Sequence, residues 1–345
     1  MHTIFSEKHV LRDPQVEFDG GRLVPPWDSP ARVEIVRRRI EEVRLGEILH
    51  PREHGLEPLL RIHTPDYLEF LATAHDAWHA SGRSGEAIAD VWPGRRMRGQ
   101  PPRAIEGRLG YYTFSADTGI DAGTWDAATA SVDVALTAAG RLLAGERAAF
   151  ALCRPPGHHA SRDLFGGYCF LNNAAIATQY MIDNGVSRAA ILDVDFHHGN
   201  GTQDIFWERD DVLFASLHGD PRDAFPWFSG FADEIGAGPG EGYNLNIPLP
   251  PSTGFDTYAE ALDHALSRID DFGPDVLVVS LGVDIWEGDP LGFFDLESHE
   301  LTEIGRRIAR LARPTLFVME GGYALETLGE NVVNVLVGFE EGWPA

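Results

Sequence analysis

The chain has 345 residues, 43% of them hydrophobic, and its 53 acidic side chains against 28 basic ones give a formal net charge of −25. Such a chain can bury a large core, and so acidic a surface argues against a nucleic-acid partner, because phosphate binding needs a basic face. No run approaches the roughly 18 uncharged apolar residues of a membrane span, and the N-terminal MHTIFSEKHVLRD lacks a basic region followed by an apolar one, which together predict a cytoplasmic protein off the membrane. Two cysteines, Cys153 and Cys169, make no disulfide framework and read as buried free thiols. The negative charge leans toward a small cationic substrate.

In chain order, the first segment that stands out is 81–124, SGRSGEAIADVWPGRRMRGQPPRAIEGRLGYYTFSADTGIDAGT. It is rich in Gly, Pro and Arg and holds no sustained period. Trp92, Tyr111, Tyr112 and Phe114 argue against disorder. It reads as an ordered insertion that covers a site or meets another subunit. A helical pattern follows at 128–145 and an apolar strand, AAFALC, at 148–153. Further helices and strands follow: helix 171–185, strand 188–195, strand 211–218, helix 258–273, strand 275–282, helix 301–312 and strand 315–322. The strands are continuous apolar runs, so both sheet faces are covered. Strands alternating with helices predict an α/β fold: a single domain over 1–345, three layers, with a mostly parallel central sheet.

Polar clusters fall where these strands end, and open parallel sheets bind ligands beyond the carboxyl ends of their strands. They are CRPPGHHA (153–160), DVDFHHGN (193–200), SLGVD (280–284) and MEGGY (319–323). Side chains alternate along a strand, so Asp193, Asp195 and His197 share a face if the extended backbone continues. Asp195, His197 and Asp284 make a plausible three-ligand metal site with an open position for water. The donors are hard enough for Fe(II) or Mn(II) as well as zinc. A metal-free ion-pair network would leave uncompensated buried charge. Each of the tandem His158 and His159 needs a partner to fix its tautomer, and Asp193 and Asn200 are in place for that role. Tyr323, after two glycines, is a candidate donor to a developing oxyanion.

RPPGHHA, GGYCFLNNAAIA, DVDFHHGNGTQDIF, SLGVD and MEGGY together resemble the zinc-dependent histone deacetylase superfamily, with its arginase/deacetylase α/β fold. IFSEKHVLRDPQVEFDGGRLVPPWDSPAR and the 81–124 insertion resemble its bacterial acetylpolyamine amidohydrolases. The resemblance implies that Asp195, His197 and Asp284 bind Zn2+ (or Fe2+, Co2+ or Mn2+), and that His158, His159 and Tyr323 are catalytic. His159 would be the general base and then acid. Asp193 and Asn200 would orient the histidines. Tyr168 and Phe225 would wall a narrow tunnel, and Glu17, Glu106 and Asp117 would attract substrate ammonium groups near its entrance. A K+ or Na+ ion would sit against Asp193, Asp195, His197, Ser216 and Leu217, and a second against Phe206, Arg209, Val212 and Tyr243. The insertion would meet its counterpart in a homodimer. The implied reaction is deacetylation of acetylated diamines and polyamines. The alternative is a protein lysine deacetylase with the same chemistry. Two departures stand out: Asn200 occupies a position where many relatives carry Asp, and Asp19 one where relatives can carry an aromatic residue. An arginase-type ureohydrolase would need a two-metal site rich in paired aspartates, and a non-catalytic binding protein would be expected to have lost part of this set.

Overall fold

The structure, a computed structural model, describes residues 1–344. The apolar runs become strands: β1 (His2–Ile4), β2 (Glu17–Asp19), β3 (Arg22–Val24), β4 (Ile48–Leu49), β5 (Ala148–Ala151), β6 (Ala189–Asp193), β7 (Val212–Gly219), β8 (Asn244–Leu249), β9 (Val276–Leu281) and β10 (Thr315–Met319). The helices are α1 (Ala31–Val43), α2 (Glu57–Leu60), α3 (Pro65–Ala80), α4 (Ile105–Tyr112), α5 (Thr124–Leu143), α6 (Asn173–Asp183), α7 (Asn200–Phe206), α8 (Phe255–Phe272), α9 (Glu300–Ala309) and α10 (Leu328–Gly342).

Eight strands form one sheet in the order β4-β1-β5-β10-β9-β6-β7-β8, with every neighbouring pair parallel. The strand period of two divides each strand between two cores. On β6, Ala189 and Ile191 face a core completed by Tyr67, Phe70, Leu136 and Ile176 from α3, α5 and α6. Ala190 and Leu192 face the other, completed by Val36, Leu262, Ile304 and Leu336 from α1, α8, α9 and α10. This is the expected three-layer arrangement, and the large sheet is parallel throughout. β2 and β3 pair separately as an antiparallel hairpin. Both cysteines are buried and free.

Two sequence expectations change. The run 188–195 is a strand only to Asp193, and residues 194–199 turn. Extended alternation therefore does not carry Asp195 and His197; local turns do. Asp193 Oδ1 accepts from the Asp195 N–H at 3.2 Å, and Asp195 Oδ1 from the His197 N–H at 2.9 Å. The 81–124 segment divides into unlike halves. Residues 81–104 hold no helix, and Val91 and Met97 are exposed. Beyond them α4 docks Ile105, Leu109 and Tyr112 into the core, and Ile120 bridges back to Ala87 of the first half, antiparallel.

A buried charge network ties the N-terminal region to the strand ends. Asp28 Oδ1 accepts from Arg32 at 2.8 Å and Arg154 at 3.1 Å. Arg154 also donates to the carbonyls of His9, Arg12 and Asp28, and Arg32 to those of Glu320 and Gly322. Removing one member of such a set leaves buried charge without a partner. Asp28→Ala is therefore expected to cost about 3–5 kcal/mol of stability, read from denaturant midpoints. A loss below about 1 kcal/mol would show that the network does not brace the fold.

Candidate active site

The polar clusters that end β5, β6, β9 and β10 meet at one edge of the sheet, because those strands lie side by side in the order β5-β10-β9-β6. Two glycines make room. A Cβ on Gly282 would lie 2.0 Å from Asp195 Oδ2, and one on Gly321 would lie 2.4 Å from Asp284 Oδ2 and 2.6 Å from Asp195 Oδ2. No other residue at either position lets the two carboxylates approach.

Ligand atoms of Asp195, His197 and Asp284 lie within 4.8 Å of one another. His197 Nδ1 sits 3.3 Å from Asp195 Oδ1 and 3.0 Å from Asp284 Oδ2. Backbone donors fix the carboxylates: Gly321 N–H to Asp195 Oδ2 at 2.7 Å, and Phe196 N–H to Asp284 Oδ1 at 2.9 Å. Both carboxylates are fully buried. Burial, and then the Asp195 charge, push Asp284 up to about 7. Burial opposes a charge on His197, but the hydrogen bonds its ring donates to both carboxylates push it up to about 10. The trio therefore draws positive charge into its centre. Two carboxylates and one imidazole nitrogen fit a divalent cation.

His158 and His159 follow in the loop after β5, their rings 4.0 Å apart. Glu320 Oε2 fixes this loop by accepting the Gly157 N–H at 2.7 Å and the His158 N–H at 3.2 Å. His158 Nδ1 is 3.1 Å from Asp193 Oδ2. Burial works against a charge on His158, yet the nearby Asp195 and Asp193 carboxylates push it up to about 10. His159 Nδ1 donates to Asn200 Oδ1 at 2.7 Å, which leaves Nε2 as the bare nitrogen. Burial, then the His158 and His197 charges, hold its pKa well below the ordinary value. The pair thus separates into a cationic imidazole and a neutral one able to accept a proton.

Tyr323 has its N–H held by Asp289 Oδ2 at 2.6 Å, and its ring lies 4.7 Å from the Arg32 guanidinium. Burial raises its pKa well above the ordinary value, so its hydroxyl stays a donor. A pocket of about 370 Å³ opens onto His159, His197 and Tyr323. Tyr168 and Phe225 line it. Its charged rim holds Glu17, Asp19, Asp117 and Asp223, with no Lys or Arg among the described residues. Glu17 accepts from the Tyr168 hydroxyl at 3.0 Å and the Trp27 N–H at 3.1 Å.

Not every residue singled out in the sequence comes here. Glu106 lies on α4, paired with Arg83 at 2.7 Å, and does not line this pocket within the single chain. Ser216 stands beside Asp193 in the β6–β7 register, with Leu217 following it on β7. Phe206 ends α7, Val212 starts β7, Arg209 lies between them, and Tyr243 precedes β8. His198 points elsewhere, with Nε2 3.1 Å from Gln203 Oε1.

Sequence reasoning missed Glu320, Asp289, Arg32 and Asp28. Glu320 was in view, inside MEGGY, but nothing in the pattern said that its carboxylate reaches back to the histidine loop.

The histone deacetylase domain matches residues 27–339. The chain belongs to the histone deacetylase family. It is an enzyme of that deacetylase, amide-hydrolysing class. It is 54% identical to acetylpolyamine amidohydrolase 1 of Pseudomonas aeruginosa over 342 residues, 99% of each chain. To an acetylpolyamine amidohydrolase of Mycoplana ramosa it is 52% identical, over 98% of this chain and 99% of the other. A crystal structure of acetylpolyamine aminohydrolase from Burkholderia pseudomallei superposes with a TM-score of 0.95 at 36% identity, covering all of both chains. No helix among the described residues is long and apolar enough to cross a membrane.

Tyr323→Phe removes the phenol hydroxyl and leaves the ring in place. Tyr323→Phe is expected to lower kcat about a hundredfold or more with little change in KM. Near-normal turnover would remove the hydroxyl from the chemistry.

Proposed function

We propose that this enzyme hydrolyses the acetyl amide of acetylated diamines and polyamines, of the acetylputrescine, acetylcadaverine and acetylspermidine type, to acetate and free amine. One observation carries the reading: a neutral imidazole, a phenol donor and a carboxylate-rimmed aromatic pocket converge on the Asp195, His197 and Asp284 trio. These three residues would hold one divalent cation, Zn2+ or else Fe2+, Co2+ or Mn2+. When bound, it supplies Lewis acidity toward the acetyl carbonyl and the attacking water.

The chain's own groups do the rest. His159 Nε2 takes the proton of the attacking water, since Asn200 occupies its other nitrogen. The Tyr323 hydroxyl donates to the carbonyl oxygen as negative charge develops there. Asp193 holds His158, whose positive charge stabilises the same anion. One of the two histidines returns a proton to the departing amine. Tyr168 and Phe225 enclose the aliphatic part of the substrate, and the four rim carboxylates attract its distal ammonium. A protein lysine deacetylase would have the same centre. The all-acidic rim favours the polyamine reading.

The same proposal extends to a structural K+ or Na+ ion at each of the two β7-associated clusters, to a homodimer formed through the 81–124 segment, and to a cytoplasmic location. Exposed Val91 and Met97 on that segment support the dimer.

The test is a substrate panel on protein stripped of metal and reloaded separately with Zn2+, Fe2+, Co2+ and Mn2+. The stripped protein should be inactive. The reloaded one should turn over N-acetylputrescine and acetylspermidine well ahead of acetyl-lysine peptides; equal or faster peptide turnover would overturn the substrate reading. The rim also sets a pH dependence. Burial pushes Glu17 up to about 7, so it is protonated below that pH and anionic above. KM for a cationic acetylated amine should fall about threefold from about pH 6 to about pH 8. An acetylated alkylamine without an ammonium should show no such fall. Parallel pH behaviour of the two substrates would exclude Glu17 from cation binding.

A further inference from the structure

Beside the substrate pocket lies a second cavity of about 450 Å³. The two share a wall made of Phe18, Asp117, Phe225 and Trp227. Beyond that wall the second cavity is lined by Phe114, Phe228 and small or neutral groups. Five aromatic rings therefore surround it. Its only charged lining residue is Asp117, with no Lys or Arg among the described residues.

Several features of this groove need a reason. Phe228 is 84% exposed, more than any other large hydrophobic side chain described, and Trp227 is 48% exposed. Adjacent bare aromatic rings are costly in water unless they meet something. Trp227 also holds a left-handed backbone, φ +68°, a strained conformation for a large side chain. The residue lines both cavities. The Phe114 and Phe225 rings of the groove lining stack with centroids 5.8 Å apart and planes 28° from parallel. Asp117 is anchored by the Gly167 N–H at 3.2 Å. Ring faces attract cations, ammonium groups especially, and a single shared carboxylate adds to that attraction. An apolar guest would gain nothing from Asp117, and an anion would be repelled by it.

We infer that this groove is a second ammonium subsite, which takes the distal cationic tail of an acetylated polyamine whose acetyl end occupies the main pocket. The inference rests on the polyamine reading above and sharpens it. A diamine ends at the rim carboxylates, whereas a triamine or tetraamine continues past Asp117 and Trp227 into the aromatic groove. The groove thus favours longer polycations over short ones. An acetylated peptide, whose chain continues as neutral amide, gains little from it.

The test uses full-length, metal-loaded protein and compares kcat/KM for N-acetylspermine and N-acetylputrescine. Phe228 serves as the probe because it lines the second cavity and not the first. Phe228→Leu keeps apolar area and removes the aromatic face; Phe228→Tyr keeps the face. Phe228→Leu should lower the acetylspermine-to-acetylputrescine ratio about two- to fivefold, through KM. Phe228→Tyr should preserve the ratio. An unchanged ratio in Phe228→Leu, or an equal fall with both variants, overturns the subsite. So does a common factor lost on both substrates together with a change of mass in light scattering, because that outcome assigns the groove to contact between copies of the chain. Wild-type enzyme that hydrolyses neither acetylated polyamine removes the proposed function itself, and the subsite with it. Wild-type enzyme that hydrolyses both while the ratio stays fixed removes only the subsite.

Discussion

Two buried carboxylates that share one imidazole nitrogen are the constraint on which the rest of the site depends. Asp195 and Asp284 are excluded from water, and His197 Nδ1 lies within 3.3 Å of both. An arrangement of this kind is unfavourable unless positive charge fills it. Much of the surrounding chain serves to hold that unfavourable geometry. The glycines at 282 and 321 give up side chains so that the carboxylates can sit there, and the N–H groups of Phe196 and Gly321 hold them in place. The same field separates the tandem histidines. His158 lies within reach of Asp193 and Asp195 and is drawn toward the charged form, while burial, and then the His158 charge, keep His159 neutral.

A second layer of buried carboxylates positions backbone. Glu320, at the end of β10, reaches the loop after β5 and accepts two of its N–H groups. Asp289 does the same for Tyr323 and Ala324. Asp28 works through Arg32, which spans the carbonyls of Glu320 and Gly322 on either side of Gly321. Four stretches distant in sequence are thus registered against one another by charge-assisted hydrogen bonds.

The five long apolar strands and four of the helices packed on them were legible in the sequence, because each runs long enough to show its period. The strands toward the two ends of the sheet were not. β1 and β4 span three and two residues, too few for any pattern, and β8 carries Asn and Pro among its apolar positions. The helix α1 was legible and overlooked; Val33, Val36 and Ile40 already mark a buried face in its sequence. At the site, the residues that carry chemistry stand out as polar groups at strand ends. Those that hold them, Asp28, Arg32, Asp289 and Glu320, act across long sequence separations, and no local spacing encodes such contacts. The strand-alternation argument for Asp195 and His197 reached the right neighbours by a wrong route, since turn hydrogen bonds replace the extended backbone after Asp193.

The position of β10 has a consequence for how the molecule comes into being. It lies between β5 and β9 at the middle of the sheet, yet it is the last of the sheet's strands in chain order and so the last of them to be synthesised. Until it emerges from the ribosome, β5 and β9 each lack a neighbour, and the sheet stands as two incomplete halves with bare backbone along the seam. Unpaired edges of that kind invite pairing with other nascent chains. The insertion that closes this seam also delivers Glu320 and Tyr323, so the chain is vulnerable to mispairing up to the moment at which it becomes competent for chemistry.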